Sequence, residues 1–206
     1  MEKIGTGALD TSGTVKRRLL GCLPFLLLIL SGCLDCEKAS ISIDLIQKVA
    51  EVKFSNIVSN STEEETIKED FADLMKKVYF DDSPASDQGR ITSRRLYENN
   101  GKLDGVERFS FQSLSKVLKE FNIEVDKKGD YILDLTKESE SFRISGNGQR
   151  IERGSKKLLR WPKGAKKIEF EEKSKEFDET KKTSLLGRWI EWVDKNRKEL
   201  GIKKEK

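Results

Sequence analysis

A run of twelve uncharged residues, Leu19 to Leu30, sits directly behind the cationic triplet Lys16-Arg17-Arg18 and just ahead of Ser31-Gly32-Cys33. The run is too short to cross a bilayer as a helix, which takes about 20 residues. It has the length of the apolar middle of a secretory signal peptide, about 7–15 residues, with positive charge before it and small residues after it. This order assigns residues 1–32 to export and leaves the polar remainder to fold. A buried core helix ending in Gly-Cys is the competing reading. It leaves unexplained both the cationic triplet and the abrupt change to polar sequence at Asp35.

Leu30-Ser31-Gly32-Cys33 resembles the lipobox of bacterial lipoproteins. The resemblance implies a diacylglyceryl group on the Cys33 sulfur and cleavage between Gly32 and Cys33. The thiol is the nucleophile that takes the lipid, and small residues let a peptidase approach the backbone. Each buried CH₂ contributes about 0.8 kcal/mol to anchoring, so two or three chains of palmitate type hold a protein without a transmembrane helix. Residues 1–14 are polar and precede the usual start of such a segment. Val15 fits a GTG start codon, which makes residues 1–14 an artefact of start assignment. Leu34 follows the cysteine. An Asp there would argue, by analogy with enteric bacteria, for the inner membrane, so the expected address is the cell envelope at the outer membrane. The Lys- and Glu-rich remainder is similar in style to the lipoproteins without assigned function common in spirochaetes.

The chain contains no histidine. That excludes Ser-His-Asp and Cys-His nucleophilic sites and His-ligated metals. General acid–base chemistry would fall to Asp, Glu, Lys or Tyr. The three cysteines, Cys22, Cys33 and Cys36, lie too close together near the start to make a disulfide framework or a zinc ribbon. Loss of Cys22 with the export segment and lipidation of Cys33 leave Cys36 as a lone thiol near the membrane. With 37% charged and 35% hydrophobic residues, the chain is polar yet carries enough Phe, Ile and Leu for a modest core.

Residues 33–40 read as a lipidated tether and 41–206 as a single α+β domain. The spacing of Ile41, Leu45, Val49 and Val52 favours a helix, although Val52-Lys53-Phe54 alternates like a strand. Ser61 with Glu64, or Thr62 with Glu65, makes a capping-box pattern ahead of a helix to Phe80. Ile67, Phe71, Leu74, Met75 and Val78 form its apolar stripe. Residues 81–90 read as a loop without the spacing of a calcium site. Ile91 to Phe111 reads as a β-hairpin turning at Asn-Gly and Asp-Gly. Its Leu96–Val106 stretch is similar to one MORN-type repeat, but a single copy, one residue too long, is better read as an ordinary hairpin. A helix over Phe111–Phe121 follows, then short strands around Tyr131–Leu135, Phe142–Ile144, Ile151, Leu158–Trp161 and Ile168–Phe170. Ser145-Gly146-Asn147-Gly148 is a turn, not a nucleotide loop, because it lacks the third glycine and the helix start. A C-terminal amphipathic helix, capped by Thr183 or Ser184, carries Leu185, Leu186, Trp189, Ile190 and Val193. Trp189 and Trp192 are expected against the sheet, or else on a membrane or partner. The fold expected is α+β, a small antiparallel sheet with packed helices.

Residues 150–167 hold the densest charge of one sign: Arg150, Arg153, Lys156, Lys157, Arg160, Lys163, Lys166 and Lys167, with Trp161 among them and only Glu152 opposed. Such a segment attracts anionic head groups or polysaccharides. It is also what a solvated strand–turn–strand looks like. Three roles follow: a binding or adhesion module for anionic ligands, an assembly subunit of an envelope complex, or an enzyme using carboxylates. No carboxylate pair stands out, so an enzyme is not expected, and no cofactor or metal is implied. The expected partners are the membrane, through lipid on Cys33, and a polyanion or envelope protein. Nucleic acid is not expected.

Overall fold

The computed structural model describes residues 34–80, 89–136, 142–175 and 177–200. The export segment, Gly32, Cys33 and most of the 81–90 loop lie outside the described residues. The α+β expectation is overturned. About half of the structure is strand and about a quarter helix, with two antiparallel sheets and three short helices.

The strands are β1 (Leu34–Asp44), β2 (Val49–Ser59), β3 (Arg90–Asn99), β4 (Lys102–Ser110), β5 (Ile123–Val125), β6 (Tyr131–Asp134), β7 (Phe142–Gly146), β8 (Gln149–Arg153), β9 (Lys156–Trp161), β10 (Lys167–Ser174) and the two-residue β11 (Thr183–Ser184). The helices are α1 (Glu64–Met75), α2 (Leu114–Glu120) and α3 (Leu186–Leu200). The main sheet runs β3-β4-β2-β1-β10-β7, with β11 on β2, and the second runs β5-β6-β9-β8.

The helix expected from Ile41 is two strands. Ile41 and Ile43 alternate with Ser40 and Ser42, and Ala50, Val52 and Phe54 alternate with Glu51 and Lys53. Register places Ile41 beside Val52 and Ile43 beside Ala50, so one face of the pair is apolar. β-branched residues favour this pleated, half-buried surface. The turn between them is set by Asp44, whose Oδ1 accepts from the N–H groups of Ile46 (2.9 Å) and Gln47 (2.7 Å). Residues 34–40 are not a tether either. They are the first part of β1, paired with β2 from Leu34 opposite Ser59, and Leu34 is 1% exposed.

The hairpin β3–β4 forms as its turn signal implies, at Asn100 (φ 53°) and Gly101 (φ 75°). Asp104-Gly105 makes no turn; both residues lie within β4. β2 pairs with β4 up to Phe54 and with β11 at Val58 and Ser59. Between these pairings Asn56 takes φ 56°, and its N–H goes to the buried carboxylate of Asp104 at 2.8 Å. Asn is among the few residues that tolerate this conformation.

The second sheet and α2 complete the core. Phe121 and Trp161 meet Phe170 of the main sheet with ring centres 6.3 and 6.2 Å apart. One continuous apolar cluster joins both sheets. The chain passes from one sheet to the other at Gly146-Asn147-Gly148. A Cβ on Gly146 would meet the Glu169 carbonyl oxygen at 2.4 Å, and one on Gly148 the Trp161 ring at 2.8 Å. Asn147 bridges the sheets: its Oδ1 accepts from Trp161 Nε1 (2.5 Å) and from the Glu169 N–H (3.0 Å).

Helix α1 buries Ile67, Leu74 and Met75 on the expected stripe, together with Asp70. The capping box does not form. Glu63 precedes the helix without a side-chain cap, and Ser61 Oγ accepts from the Glu63 N–H instead. Residues Lys76–Phe80 continue α1 as a wider π turn. That turn contacts the tryptophans of α3, which also pack against the main core cluster. Trp189 Nε1 donates to Tyr79 Oη at 3.3 Å, and the Trp192 ring lies tilted by 31° against Tyr79 with centroids 4.8 Å apart.

Candidate functional site

The basic segment does not converge into a free cationic patch. Arg153 pairs with Asp126 (3.2 Å), Lys156 with Asp134 (3.3 Å) and Lys167 with Glu169 (2.5 Å). Arg160 places both Nε (2.8 Å) and Nη2 (2.7 Å) on the buried Asp130, whose other oxygen accepts from the Lys163 N–H. Arg150 donates to the Ile144 carbonyl. Three of the partners, Asp126, Asp130 and Asp134, come from the loop before β6 and from β6 itself. Paired charges of this kind present little net field. Trp161 is 2% exposed and belongs to the core, so it contacts no ligand. Strand alternation explains this, since the odd and even positions of β9 face opposite sides. Lys157, Lys163 and Lys166 are exposed and make no ion pair among the described residues. Lys157 lies near one end of β9, while Lys163 and Lys166 follow its other end.

A second arrangement is concave. On the face of the main sheet opposite Ile41, Val52 and Phe170, four strands bring polar side chains into two cross-strand rows. Lys53, Ser40, Glu171 and Ser145 form one row, and Glu51, Ser42 and Glu169 the other. With Asn147 and Lys167 they line a trough of about 450 Å³. The walls carry charges of both signs, paired as Lys53–Glu51 (3.2 Å), Lys38–Glu171 (3.3 Å) and Lys167–Glu169 (2.5 Å). The Glu169 hydrogen bond holds the Lys167 ammonium above its ordinary pKa. The hydroxyls of Ser40 and Ser42 on the floor make no side-chain hydrogen bond among the described residues. The trough thus offers hydroxyl donors and acceptors between balanced charges. No group of acids or cysteines among the described residues could hold a metal ion.

Buried polar groups elsewhere are structural. Ser59 donates to Asp70 at 2.5 Å, but Ser59 is fully buried and beyond the reach of any substrate. Lys182 joins Asp35 (2.7 Å) and Asn60 (2.6 Å), tying the chain before β11 to the start of β1 and to the residue after β2. Lys102 reaches Glu37 (3.1 Å) and Glu179 (2.6 Å), and Lys173 also reaches Glu37 (3.3 Å). Hydrogen bonds from Lys102, and then Lys173, hold the Glu37 carboxyl below its ordinary pKa despite some burial. Cys36 is a free, buried thiol, not an accessible one; burial pushes its pKa well up, with Asp35 adding to the effect.

No protein-family model matches the chain, and neither a curated protein nor a solved structure matches it. Among the described residues no helix is long and apolar enough to cross a membrane, which leaves β-barrel spanning unaddressed. The trough was missed in the sequence because serines are unremarkable singly. The available signal was alternation: Ser40-Ile41-Ser42-Ile43 and Ile168-Glu169-Phe170-Glu171 each put one polar row and one apolar row on opposite faces.

Proposed function

We propose that the chain is an envelope lipoprotein, anchored by lipid on Cys33, whose β domain is a non-enzymatic binding module. One observation supports the anchoring: Leu34, the residue after the lipobox cysteine, is paired with β2 and buried, so a core position directly follows the residue that would carry the lipid. The contact surface we assign is the trough rather than the basic segment, because four of its eight basic side chains, Arg153, Lys156, Arg160 and Lys167, are paired with carboxylates. Its ligand class is a polar, hydroxyl-rich molecule such as an envelope glycan, bound by the Ser40 and Ser42 hydroxyls and the paired charges.

Two measurements test this. Metabolic labelling with palmitate should mark the protein, and Cys33→Ser should abolish the label; a retained label overturns the anchoring. Purified protein should bind soluble envelope glycan, and Ser42→Leu should remove that binding without unfolding the domain. Equal binding by both proteins overturns the assignment of the trough.

Two exposed side chains favour an assembly role. Phe80 is 59% exposed although its ring lies 6.3 Å from Trp192, and Ile190 on α3 is 40% exposed. Aromatic groups held half in water suit a protein partner. Stoichiometric co-purification of an envelope protein, lost in Phe80→Ser, would favour this reading.

A further inference from the structure

Lipid attachment and fold are separated by a single peptide unit. Consecutive Cα atoms lie about 3.8 Å apart, so Cys33 cannot stand far from Leu34. Leu34 is itself immobilised: it is 1% exposed and sits opposite Ser59, which also pairs with Thr183 of β11. Lys182 clamps Asp35 to Asn60, both charged side chains of the Lys182–Asp35 pair being 13% exposed. Thr183 Oγ1 donates to the Ser61 carbonyl at 2.8 Å. No slack remains between the lipid-bearing residue and a rigid sheet corner.

We infer that this corner, formed by Leu34–Asp35, the 60–63 segment and Lys181–Thr183, is a membrane-apposed face resting on phospholipid head groups. The inference rests on the proposed lipidation of Cys33. The opposite end of the sheet is the 45–48 turn, where Ile46 is 67% exposed. Strands rise about 3.3–3.4 Å per residue, so β1 sets that turn roughly 35 Å along its axis from the lipid linkage. Ser40 and Ser42 of the trough fall about 20–27 Å along the same strand. The protein is thus a stand-off bracket: it holds its trough at a fixed distance from its own leaflet, where a flexible tether would let it roam. The ligand must then be reachable at that height and not embedded in the same bilayer.

The test uses the full lipidated protein in vesicles of phosphatidylcholine and phosphatidylglycerol. Fluorophores go on Thr62→Cys, beside the corner, or Gln47→Cys, at the far turn; both native residues are exposed. Cys36 is buried and does not compete for label. Head-group nitroxide lipids should remove most of the Thr62→Cys signal and leave Gln47→Cys at its vesicle-free value. A spacer of about twelve Gly/Ser residues between Cys33 and Leu34, roughly 20 Å of flexible reach, should erase the difference. Equal quenching of the two labels without the spacer, or a difference that survives the spacer, overturns the apposed face. The mass of the N-terminal peptide is read on the same samples. Diacylated Cys33 with equal quenching sinks only this inference, whereas an unmodified Cys33 sinks the anchoring as well.

Discussion

Replacing Leu34 with alanine separates a packed strand from a tether. The Leu34 side chain is 1% exposed within the main core cluster. Truncating a buried leucine removes apolar contacts and leaves a cavity that the neighbours fill only in part. Such changes cost about 2–5 kcal/mol, and a position at the end of a strand, where the corner relaxes, belongs near 3 kcal/mol. A domain of this size has about 5–15 kcal/mol of stability in total, so the loss is a large fraction. The assay is urea unfolding of a lipid-free chain that starts at residue 33 with Cys33→Ser. With a slope of about 2 kcal/mol per molar, the midpoint falls by roughly 1.5 M and the slope is unchanged. A residue in a solvated tether would change stability by less than about 0.5 kcal/mol. A midpoint shift below about 0.25 M, by the same slope, would refute the placement of Leu34 in the core.

Cys36 should resist alkylation in the folded chain at pH 8–9 and react once urea unfolds it; fast native labelling contradicts its burial. Because the fold raises the thiol pKa, this contribution to stability is complete below the unfolded value, about 8.5, and is lost as pH rises above it. Asp104→Ala removes acceptors from the Asn56 N–H and from Asn99 Nδ2, both at 2.8 Å, and should destabilise by about 3–5 kcal/mol in thermal unfolding; a loss under about 1 kcal/mol would show that the Asn56 turn does not need that carboxylate. Asp126→Asn with Asp134→Asn releases Arg153 and Lys156, so retention on heparin should rise; unchanged retention contradicts internal neutralisation of the basic segment.

Local geometry was legible where a residue pair has few options. Asn100-Gly101 needs positive φ twice, and the hairpin it announces is present. The stripe of α1 and the helix α3 were legible for the same reason, since 3.6-residue spacing over several turns has one reading. The β1–β2 hairpin was not. Its turn holds neither Gly nor Pro, and Ile41, Leu45 and Val49 happen to repeat every four residues. The helical reading of this segment, and the tether before it, biased the fold class toward α+β. The basic segment misled differently. Its charges are adjacent in sequence, but the carboxylates that neutralise them, Asp126, Asp130 and Asp134, enter from a separate strand and its preceding loop. Pairing across strands is set by topology, which linear charge does not encode. The trough depends on the same kind of information, being assembled from β1, β2, β10 and the end of β7.

The proposed anchor puts the lipid on the residue directly before the buried Leu34. Intact-mass and N-terminal peptide analysis of the protein extracted from its native envelope tests it most directly. The expected product is a mature chain that starts at Cys33 and carries diacylglycerol on its sulfur, with Leu34 next. A mature chain that retains any of residues 19–32, or that starts at an unmodified residue beyond Cys33, would contradict it.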